Sequence, residues 1–471
     1  MRKSAENNIC FVANFGKTEF FEGIAEKLKE KGIGIFWITV NRRLYVYLKE
    51  RYPESRILLI NKKYINIPSD AIDDFKLQGL VFGDRVLRHM PVDGIKYLTN
   101  IQRPLYEFVA SNNIDHIFGE VTWAHEILIL RLVNRRKELR CRYLNPATIR
   151  IPNGRFAFFE DEYQAVLFER PRNGNSRAEQ PIIKLEKPDY LKLNDNLLRK
   201  SRSMKARLAR IKRFFTRENI DALDPTLMDD DWLRFKMRIR EEWNKETYRF
   251  VNTSELNEFG GKKFALVTLH KQPEASIDVL GRYYDDQFRN IFNIRRFLPA
   301  DWPVLVKEHT NAIGDRSYGF YRRLQKIPGI YILNEKTDSH EAIRRSELVI
   351  TVSGTVAYEA ALMGKTAFTL VPTFFNRLPH CRHVTLEDFR AADSVRDLMA
   401  RAEEGDDDFA RWLFRNSFRG IISDPHSNPA CMTEENINYV AGAMMEALKD
   451  DALSGDDKRS LADKMETVTA R

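Results

Sequence analysis

Short apolar runs alternate with segments of helical spacing over roughly the first third of this 471-residue chain. The runs predict four β-strands, at Ile9–Phe15, Ile33–Val40, Arg56–Ile60 and Asp115–Glu120. Helical spacing of apolar positions predicts amphipathic helices over Thr18–Gly32 and Trp123–Leu139. Two further short strands are expected at 140–144 and 155–163. Strands that alternate with helices are typical of a parallel, doubly wound sheet, so the pattern predicts a Rossmann-like unit.

The same alternation returns after Lys263 with greater regularity. Buried strands are predicted at 263–270, 303–309, 329–333, 348–352 and 366–371, the last closing the series. Helices are predicted over Tyr283–Phe297 and Ser317–Lys326, near His340–Arg345, and directly after Thr355. This half of the chain therefore predicts a second Rossmann-like unit, whose ligands would bind outside the carboxyl ends of the strands.

The segment between the two units is polar, basic and mostly helical in pattern. Within Asn196–Phe215 there are eight Lys or Arg residues and no acid, and apolar residues recur at steps of seven, four, three and four. A basic amphipathic helix of this kind favours peripheral contact with an anionic membrane. Two other uses stay open at this point: packing of the apolar stripe on the protein's own lobes, and binding of an anionic polysaccharide.

Together these patterns predict an α/β protein in which two Rossmann-like domains face a cleft and a basic helical connector joins them. We expect an N-terminal Rossmann-like domain at 1–170, the connector at 171–258, a C-terminal Rossmann-like domain at 259–385, helices packing back across both lobes at 386–450, and a disordered polar tail at 451–471.

Composition narrows the class of protein only a little. With 76 basic and 67 acidic residues the net charge is +9, a mild excess that suggests an anionic partner without identifying it. The four cysteines are far apart and lack CxxC spacing, which predicts free thiols in a reducing cytoplasm. No apolar stretch is long enough for a membrane span, and the N-terminus does not resemble a signal peptide. We expect a cytoplasmic protein, peripheral on the inner membrane face, with no nucleic-acid partner.

The most informative local feature is a bare corner at Ser353, Gly354 and Thr355, between the strand 348–352 and the helix that follows. Small residues at a strand-to-helix turn allow a ligand to approach backbone N–H groups at the positive end of a helix, which suits a phosphate. The alternative is an ordinary N-cap. Glu359, in the first turns of that helix, could accept hydrogen bonds from a ribose or simply complement the helix dipole.

The chain contains two GKT triplets, but neither belongs to a P-loop motif. The motif needs a glycine five residues before the GK glycine, and those positions hold Phe11 and Glu359. Because neither triplet completes the motif, we reject the interpretation of the protein as a nucleoside-triphosphatase of the P-loop type.

Polar residues at other predicted strand ends complete the candidate list. In the second unit these are His309 and Lys307 after one strand and Gln272 and Glu274 after another; each could instead be a structural loop residue. In the first unit, Glu120 follows a strand and is a candidate general base, with His125 on the next helix. The acidic run 406–408 is interpreted as a solvated turn, so no metal site is expected.

These stretches, taken in order, resemble the capsule polysaccharide biosynthesis family, which includes Kdo transferases and has the two-lobed GT-B glycosyltransferase fold. The resemblance rests on HKQPEAS, LPADWPVLVKEHT, YRRLQKIPGIYIL and VITVSGTVAYEAALMGKTAF, over 264–370, with weaker support from FGEVTWAHE. The chain has Thr310 where the family usually has proline after the histidine, and Ser353-Gly354 where it usually has two small polar residues.

The resemblance implies a glycosyltransferase that moves a sugar from a nucleotide sugar to a surface polysaccharide or glycolipid. It implies that the domain at 259–385 binds the nucleotide sugar and that the domain at 1–170 lies on the acceptor side. It implies that His309, Ser353, Gly354 and Thr355 contact the donor's nucleotide and phosphate, and that Glu274 lies near the reacting sugar. A CMP-sugar is expected first, then a UDP- or GDP-sugar, without cofactor or metal, and the base is Glu120 or Glu274. Alternatives are a nucleotide-sugar epimerase of the same fold and a non-catalytic binder of polysaccharide or nucleic acid.

Overall fold

The computed structural model describes residues 7–170, 181–185 and 221–450, and it contains two β-sheets flanked by helices. The predicted stripe at 196–215 and the predicted tail at 451–471 lie outside the described residues. Within the described ranges no helix is both long and apolar enough to cross a membrane. All four cysteines lie in these ranges, where they are buried and form no disulfide with one another.

The first sheet has seven strands in the order β13-β6-β5-β4-β1-β2-β3, and its β4-β1-β2-β3 part is parallel. The strands are β1 (Asn8–Ala13), β2 (Gly34–Thr39), β3 (Ile57–Leu59), β4 (His116–Phe118), β5 (Arg142–Thr148), β6 (Arg155–Phe159) and β13 (Phe418–Arg419). β5 runs parallel to β4, whereas β6 pairs antiparallel with both β5 and β13. A segment from the far end of the chain thus closes the edge of the first sheet.

The second sheet has six strands, all parallel, in the order β12-β11-β10-β7-β8-β9. They are β7 (Ala265–Thr268), β8 (Val304–Lys307), β9 (Ile330–Leu333), β10 (Leu348–Thr351), β11 (Thr366–Thr369) and β12 (Cys381–His383). Most residues of these strands are buried, as expected for a parallel sheet covered by helices on both faces.

Helices cover both sheets. They are α1 (Lys17–Lys29), α2 (Arg42–Lys49), α3 (Leu77–Gly83), α4 (Pro91–Asn100), α5 (Gln102–Ser111), α6 (Ala124–Arg135), α7 (Asp231–Tyr248), α8 (Gln287–Phe297), α9 (Tyr318–Gln325), α10 (Ser339–Arg345), α11 (Val356–Leu362), α12 (Leu386–Ala391), α13 (Val395–Glu403), α14 (Phe409–Arg415) and α15 (Glu434–Asp450).

The two sheet units are joined by shared cores. The β5–β6 hairpin contributes Ile149, Ile151 and Phe159 to a core that otherwise belongs to the second unit, and the hydroxyl of Tyr358 on α11 donates to the carbonyl of Ile151 at 3.0 Å. In the other direction, α15 packs against α1 and adds Met444 to the core of the first unit. The lobes therefore stabilise each other by buried apolar area as well as by loop contacts.

The α/β fold class with two Rossmann-like units is confirmed, and two elements need correction. The helix expected from Tyr283 begins only at Gln287, because Asp286 caps it by accepting the N–H of Arg289 at 2.9 Å. The series of strands does not end at 366–371: β12 follows, and its three residues are too few to show a strand period.

Candidate functional site

Each sheet has one topological switch point, and the candidate residues gather at both. In the first sheet the strand order reverses between β1 and β4, so the crevice there receives Asn14 and Lys17 after β1 and Glu120 after β4. In the second sheet it reverses between β7 and β10, where His270 follows β7 and the corner 353–355 follows β10. Ligands of doubly wound sheets bind at such points, outside the carboxyl ends of the strands.

Two glutamates share one asparagine at the first switch point. The Nδ2 atom of Asn14 donates to Oε2 of Glu120 at 3.2 Å and to Oε1 of Glu126 at 3.1 Å. The ammonium of Lys17 forms an ion pair with Glu120. Glu120 keeps about a quarter of its side chain exposed (23%), whereas Glu126 is fully buried. A ligand can therefore reach the carboxyl group of Glu120, whereas the carboxyl group of Glu126 is enclosed by the protein.

Glu126 lies at the start of α6, where the N–H groups of Thr122 and Trp123 donate to its Oε2 at 2.8 and 3.1 Å. Burial and the nearby charge of Glu120 raise its pKa to about 7, against the lowering effect of these donors. Of the two glutamates, Glu120 is therefore the one whose carboxyl group a ligand can reach, because part of its side chain is exposed.

A cavity of about 200 Å³ adjoins this cluster. Its walls come from the ends of β1 and β2, the start of α2 and the segment before α7, and include Asn14, Phe15, Asn41, Arg43, Leu44 and Asp224. Phe15 has a left-handed backbone (φ 42°) and an exposed ring. A non-glycine residue in that conformation is held there by its surroundings, and such residues concentrate at binding sites.

At the second switch point the corner is built around His270. The imidazole Nε2 accepts the N–H groups of Val352 and Ser353 at 3.2 and 3.3 Å and lies 3.0 Å from Oγ1 of Thr351. Burial, with the nearby charge of Arg316, lowers the pKa of His270 to about 3, so the ring is neutral. The amide of Ser353, one of those expected to face a ligand, is therefore bound by the protein itself.

The remaining part of the corner is open to a ligand. A Cβ on Gly354 would lie 2.7 Å from Oγ1 of Thr351, so glycine is needed here for internal packing. The hydroxyl of Ser353 donates to the carbonyl of Ser276 at 2.7 Å. Within the described ranges no acceptor meets the N–H groups of Gly354 and Thr355 or the hydroxyl of Thr355. These three donors are the ones that a phosphate could use.

Glu274 and His309 are both exposed, and they lie near enough for the carboxylate to act on the pKa of the imidazole. Nδ1 of His309 accepts the N–H of Asn311 at 3.2 Å, which leaves Nε2–H as a donor in the neutral ring. Glu274 accepts from Oγ of Ser276 at 2.8 Å. These two side chains occupy neighbouring strand ends, as the sequence predicted.

Four other candidates are committed to internal contacts. Gln272 donates to Asp278 at 2.9 Å, and Glu359 is paired with His340 at 2.9 Å. Lys307 is only 6% exposed, and burial lowers its pKa. The placement of His125 at the cleft surface is wrong: its side chain is 2% exposed, on a helix with nine of its twelve residues buried, and burial lowers its pKa to about 3.

The turn formed by residues 84–88 links the two switch points. Asp84 accepts the N–H of Ala124 at 3.0 Å, and Arg85 donates to the carbonyl of Thr122 at 3.0 Å, so the turn holds the loop that follows Glu120. Arg88 forms an ion pair at 3.0 Å with the fully buried Asp278. Oδ2 of Asp278 also accepts the N–H of Glu274 at 2.9 Å. The turn 84–88 thus contacts both the loop that follows Glu120 and, through Asp278, the loop that carries Glu274.

The residues that sequence reasoning missed are Asn14, Lys17, Glu126, His270 and Asp278. His270 follows its strand just as His309 does, so the signal that selected His309 applied to it equally. Lys17 and Asn14 follow β1 in the same way. Within the described ranges no three His, Cys, Asp or Glu side chains are grouped so that they could hold a metal ion.

Comparisons with known proteins find likeness in structure only. No protein-family model matches the chain, and no curated protein sequence does. Among solved structures it is similar to Thermosulfurimonas dismutans KpsC, a beta Kdo 2,7 transferase, at 10% identity and a TM-score of 0.35, covering 95% of this chain and 100% of that one.

Two further solved structures are similar over most of their length. One is the UDP-GlcNAc 2-epimerase of Methanocaldococcus jannaschii in complex with UDP-GlcNAc and UDP, at 12% identity and a TM-score of 0.28, covering 87% of this chain and 98% of that one. The other is CalG4, the calicheamicin glycosyltransferase, at 12% identity and a TM-score of 0.24, covering 96% of this chain and 100% of that one.

Proposed function

We propose that the protein is a glycosyltransferase that transfers a sugar from a nucleotide-sugar donor to the hydroxyl group of a polysaccharide or glycolipid acceptor. The proposal rests on one observation: each of the two switch points holds polar groups that could act on a ligand, and the turn 84–88 joins them. One offers a partly exposed carboxyl group beside a cavity, and the other offers N–H and hydroxyl donors that no acceptor in the described part of the chain meets. The ordered motifs of residues 264–370 support the same assignment.

In this proposal the donor diphosphate or phosphate binds at Gly354 and Thr355, with Nε2–H of His309 as a further donor. Such donors stabilise the negative charge that develops on the leaving phosphate. The acceptor hydroxyl attacks the anomeric carbon while the bond from that carbon to the phosphate oxygen breaks, and the nucleotide leaves with the bonding electrons. The hydroxyl proton passes to Glu120; Glu274, beside His309, is the second candidate for that role.

The first test is direct binding of CMP, UDP and GDP by calorimetry, with thermal denaturation as a second readout. A nucleotide at about 100 times its dissociation constant raises the free energy of unfolding by roughly 2.7 kcal/mol. One of the three is expected to bind well ahead of the others, with CMP the first expectation. Failure of all three to bind would contradict the proposal.

The second test is product formation from the sugar nucleotide selected by the binding screen, with and without an acceptor oligosaccharide or glycolipid. Transfer requires the acceptor, and free nucleotide should then accumulate with glycosylated product. Conversion of the sugar nucleotide to an isomer without acceptor would instead identify an epimerase, which is the competing assignment.

A further inference from the structure

The helix α7 (Asp231–Tyr248) bridges the two units and presents most of its surface to solvent. At its N-terminal end, Lys62 of the first unit forms an ion pair with Asp229 at 3.0 Å. At its C-terminal end, Asn244 donates to the carbonyl of Gly314 at 3.0 Å, and Tyr248 packs on Tyr321 with ring centroids 5.2 Å apart. Asn244 and Tyr248 are its only buried side chains in the described structure.

The exposed side of α7 carries an aromatic stripe, which we define as Trp232, Ile239 and Trp243. Their spacing of seven and four places them within about 40° of one another around the helix, on the side away from Asn244 and Tyr248. The exposed fractions are 71%, 53% and 70%. Two tryptophans of the six in the chain are thus held in water on one helical line, which is unfavourable unless something covers them.

Basic residues flank this stripe. Lys236 and Arg240 lie one turn apart beside it, both exposed, and neither forms an ion pair with another described residue. The acids near its C-terminal end, Glu242 and Glu246, are paired with Lys245 at 3.1 Å and with Arg249 at 3.7 Å. Among the charged residues next to the stripe, Lys236 and Arg240 are therefore the two without an ion-pair partner in the described residues.

We propose that the aromatic stripe of α7 is the surface by which the protein docks on an anionic lipid membrane. Tryptophan is favoured at the level of the lipid headgroups, because its ring is largely apolar and its N–H can still find a polar partner. Lysine and arginine beside such a stripe are attracted by anionic lipids. The bridge geometry leaves the stripe clear while both ends of α7 stay attached to the two units.

The charges argue against other occupants. A second copy of this chain would bring its own Lys236 and Arg240 to the contact. The segment 196–215, which lies outside the described residues, carries eight Lys or Arg and no acid, so it would add like charge to the same surface. An anionic bilayer removes this repulsion, and it covers the tryptophans as well.

Co-sedimentation of the full chain with vesicles tests the proposal, without dependence on enzymatic activity. Vesicles of phosphatidylcholine alone are compared with vesicles that also contain phosphatidylglycerol, at low and high salt. The parent protein should bind only the anionic vesicles, less so at high salt. The double variant Trp232→Ala/Trp243→Ala should bind roughly tenfold more weakly. The double variant Lys236→Gln/Arg240→Gln should lose about fivefold per charge.

Matched controls remove equivalent groups elsewhere. Phe82→Ala deletes an exposed aromatic ring on α3, and Lys31→Gln/Lys262→Gln removes two exposed charges away from α7. Both controls should bind like the parent, and all variants should keep its melting temperature because every substituted side chain is exposed. Equal binding by the parent and the tryptophan variant would overturn the proposal. So would an absence of binding by the parent, or loss of self-association as the only effect of the variant.

Discussion

The imidazole Nε2 of His270 lies 3.2 Å from the amide nitrogen of Val352, so the strand-to-helix corner of the second unit is held by a histidine from the neighbouring strand end. The amide of Ser353 shares the same acceptor at 3.3 Å. Because Nε2 accepts these bonds, the proton of the neutral ring belongs on Nδ1. The shape of the proposed phosphate corner therefore depends on the protonation state of a buried group.

This dependence predicts acid sensitivity. The folded-state pKa of His270 is about 3, and its ordinary value is 6.5. Since the folded pKa is depressed, the stabilisation is fully present above pH 6.5 and is lost as the pH falls towards 3. The free energy of unfolding in urea should decline in that window by up to about 1.4 kcal/mol per pH unit from this residue. His270→Asn, whose side-chain oxygen can accept but does not titrate there, should flatten the decline. An unchanged slope in that variant would contradict the assignment.

The phosphate corner is best tested at Thr355, because the glycine next to it has a packing role. Thr355→Val removes a hydroxyl that caps nothing in the helix, so nucleotide affinity should fall by roughly three- to tenfold with little change in melting temperature. Calorimetric titration measures the affinity. Gly354→Ala should instead destabilise the fold by about 1–3 kcal/mol, since its Cβ would lie 2.7 Å from a buried hydroxyl. Unaltered affinity in Thr355→Val would remove the hydroxyl from the site.

Loss of the general base should slow turnover without abolishing donor binding. Glu120→Gln keeps the shape of the side chain but cannot accept the proton, so kcat should fall by roughly a hundred- to ten-thousandfold. Glu274→Gln is measured in parallel, and Glu138→Gln, an exposed carboxyl group outside the site, is the control. If the first two variants both turn over at the parental rate, neither carboxylate is the base.

The ion pair between Arg88 and Asp278 should matter for both stability and the site. Arg88→Ala leaves the fully buried carboxylate of Asp278 without its charge partner, which should reduce the free energy of unfolding by about 3–5 kcal/mol. It should also raise the KM for the donor, because Asp278 holds the backbone of Glu274. The exposed pair of Arg103 and Asp70 is a matched comparison, and Arg103→Ala should change stability by less than about 1 kcal/mol. Equal losses in the two variants would show that the link is not special.

Most of the fold was predictable from local pattern. Parallel strands that are buried on both faces appear as short β-branched runs. Apolar runs located eleven of the thirteen described strands, nine of them to within two residues at each end. Elements that depend on a distant partner gave no such signal. The two-residue strand β13 exists because β6 offers it an open edge, and α8 starts where Asp286 can cap it rather than where helical spacing begins.

For the candidate site, too, local sequence predicted one part and contacts between distant residues decided the other. Sequence alone determined which residues stand at strand ends, because hydrophobic period and turn residues are local properties of the chain; it singled out Glu120, Glu274, His309 and the corner on that basis. Only the tertiary structure decided which of them remain available to a ligand. His125 is buried within the fold and is not available to a ligand, and hydrogen bonds between residues far apart in the chain tie the amides of Val352 and Ser353 to His270. Such contacts depend on which helices and strands pack together. The spacing of residues within a single helix or strand does not determine its packing partners.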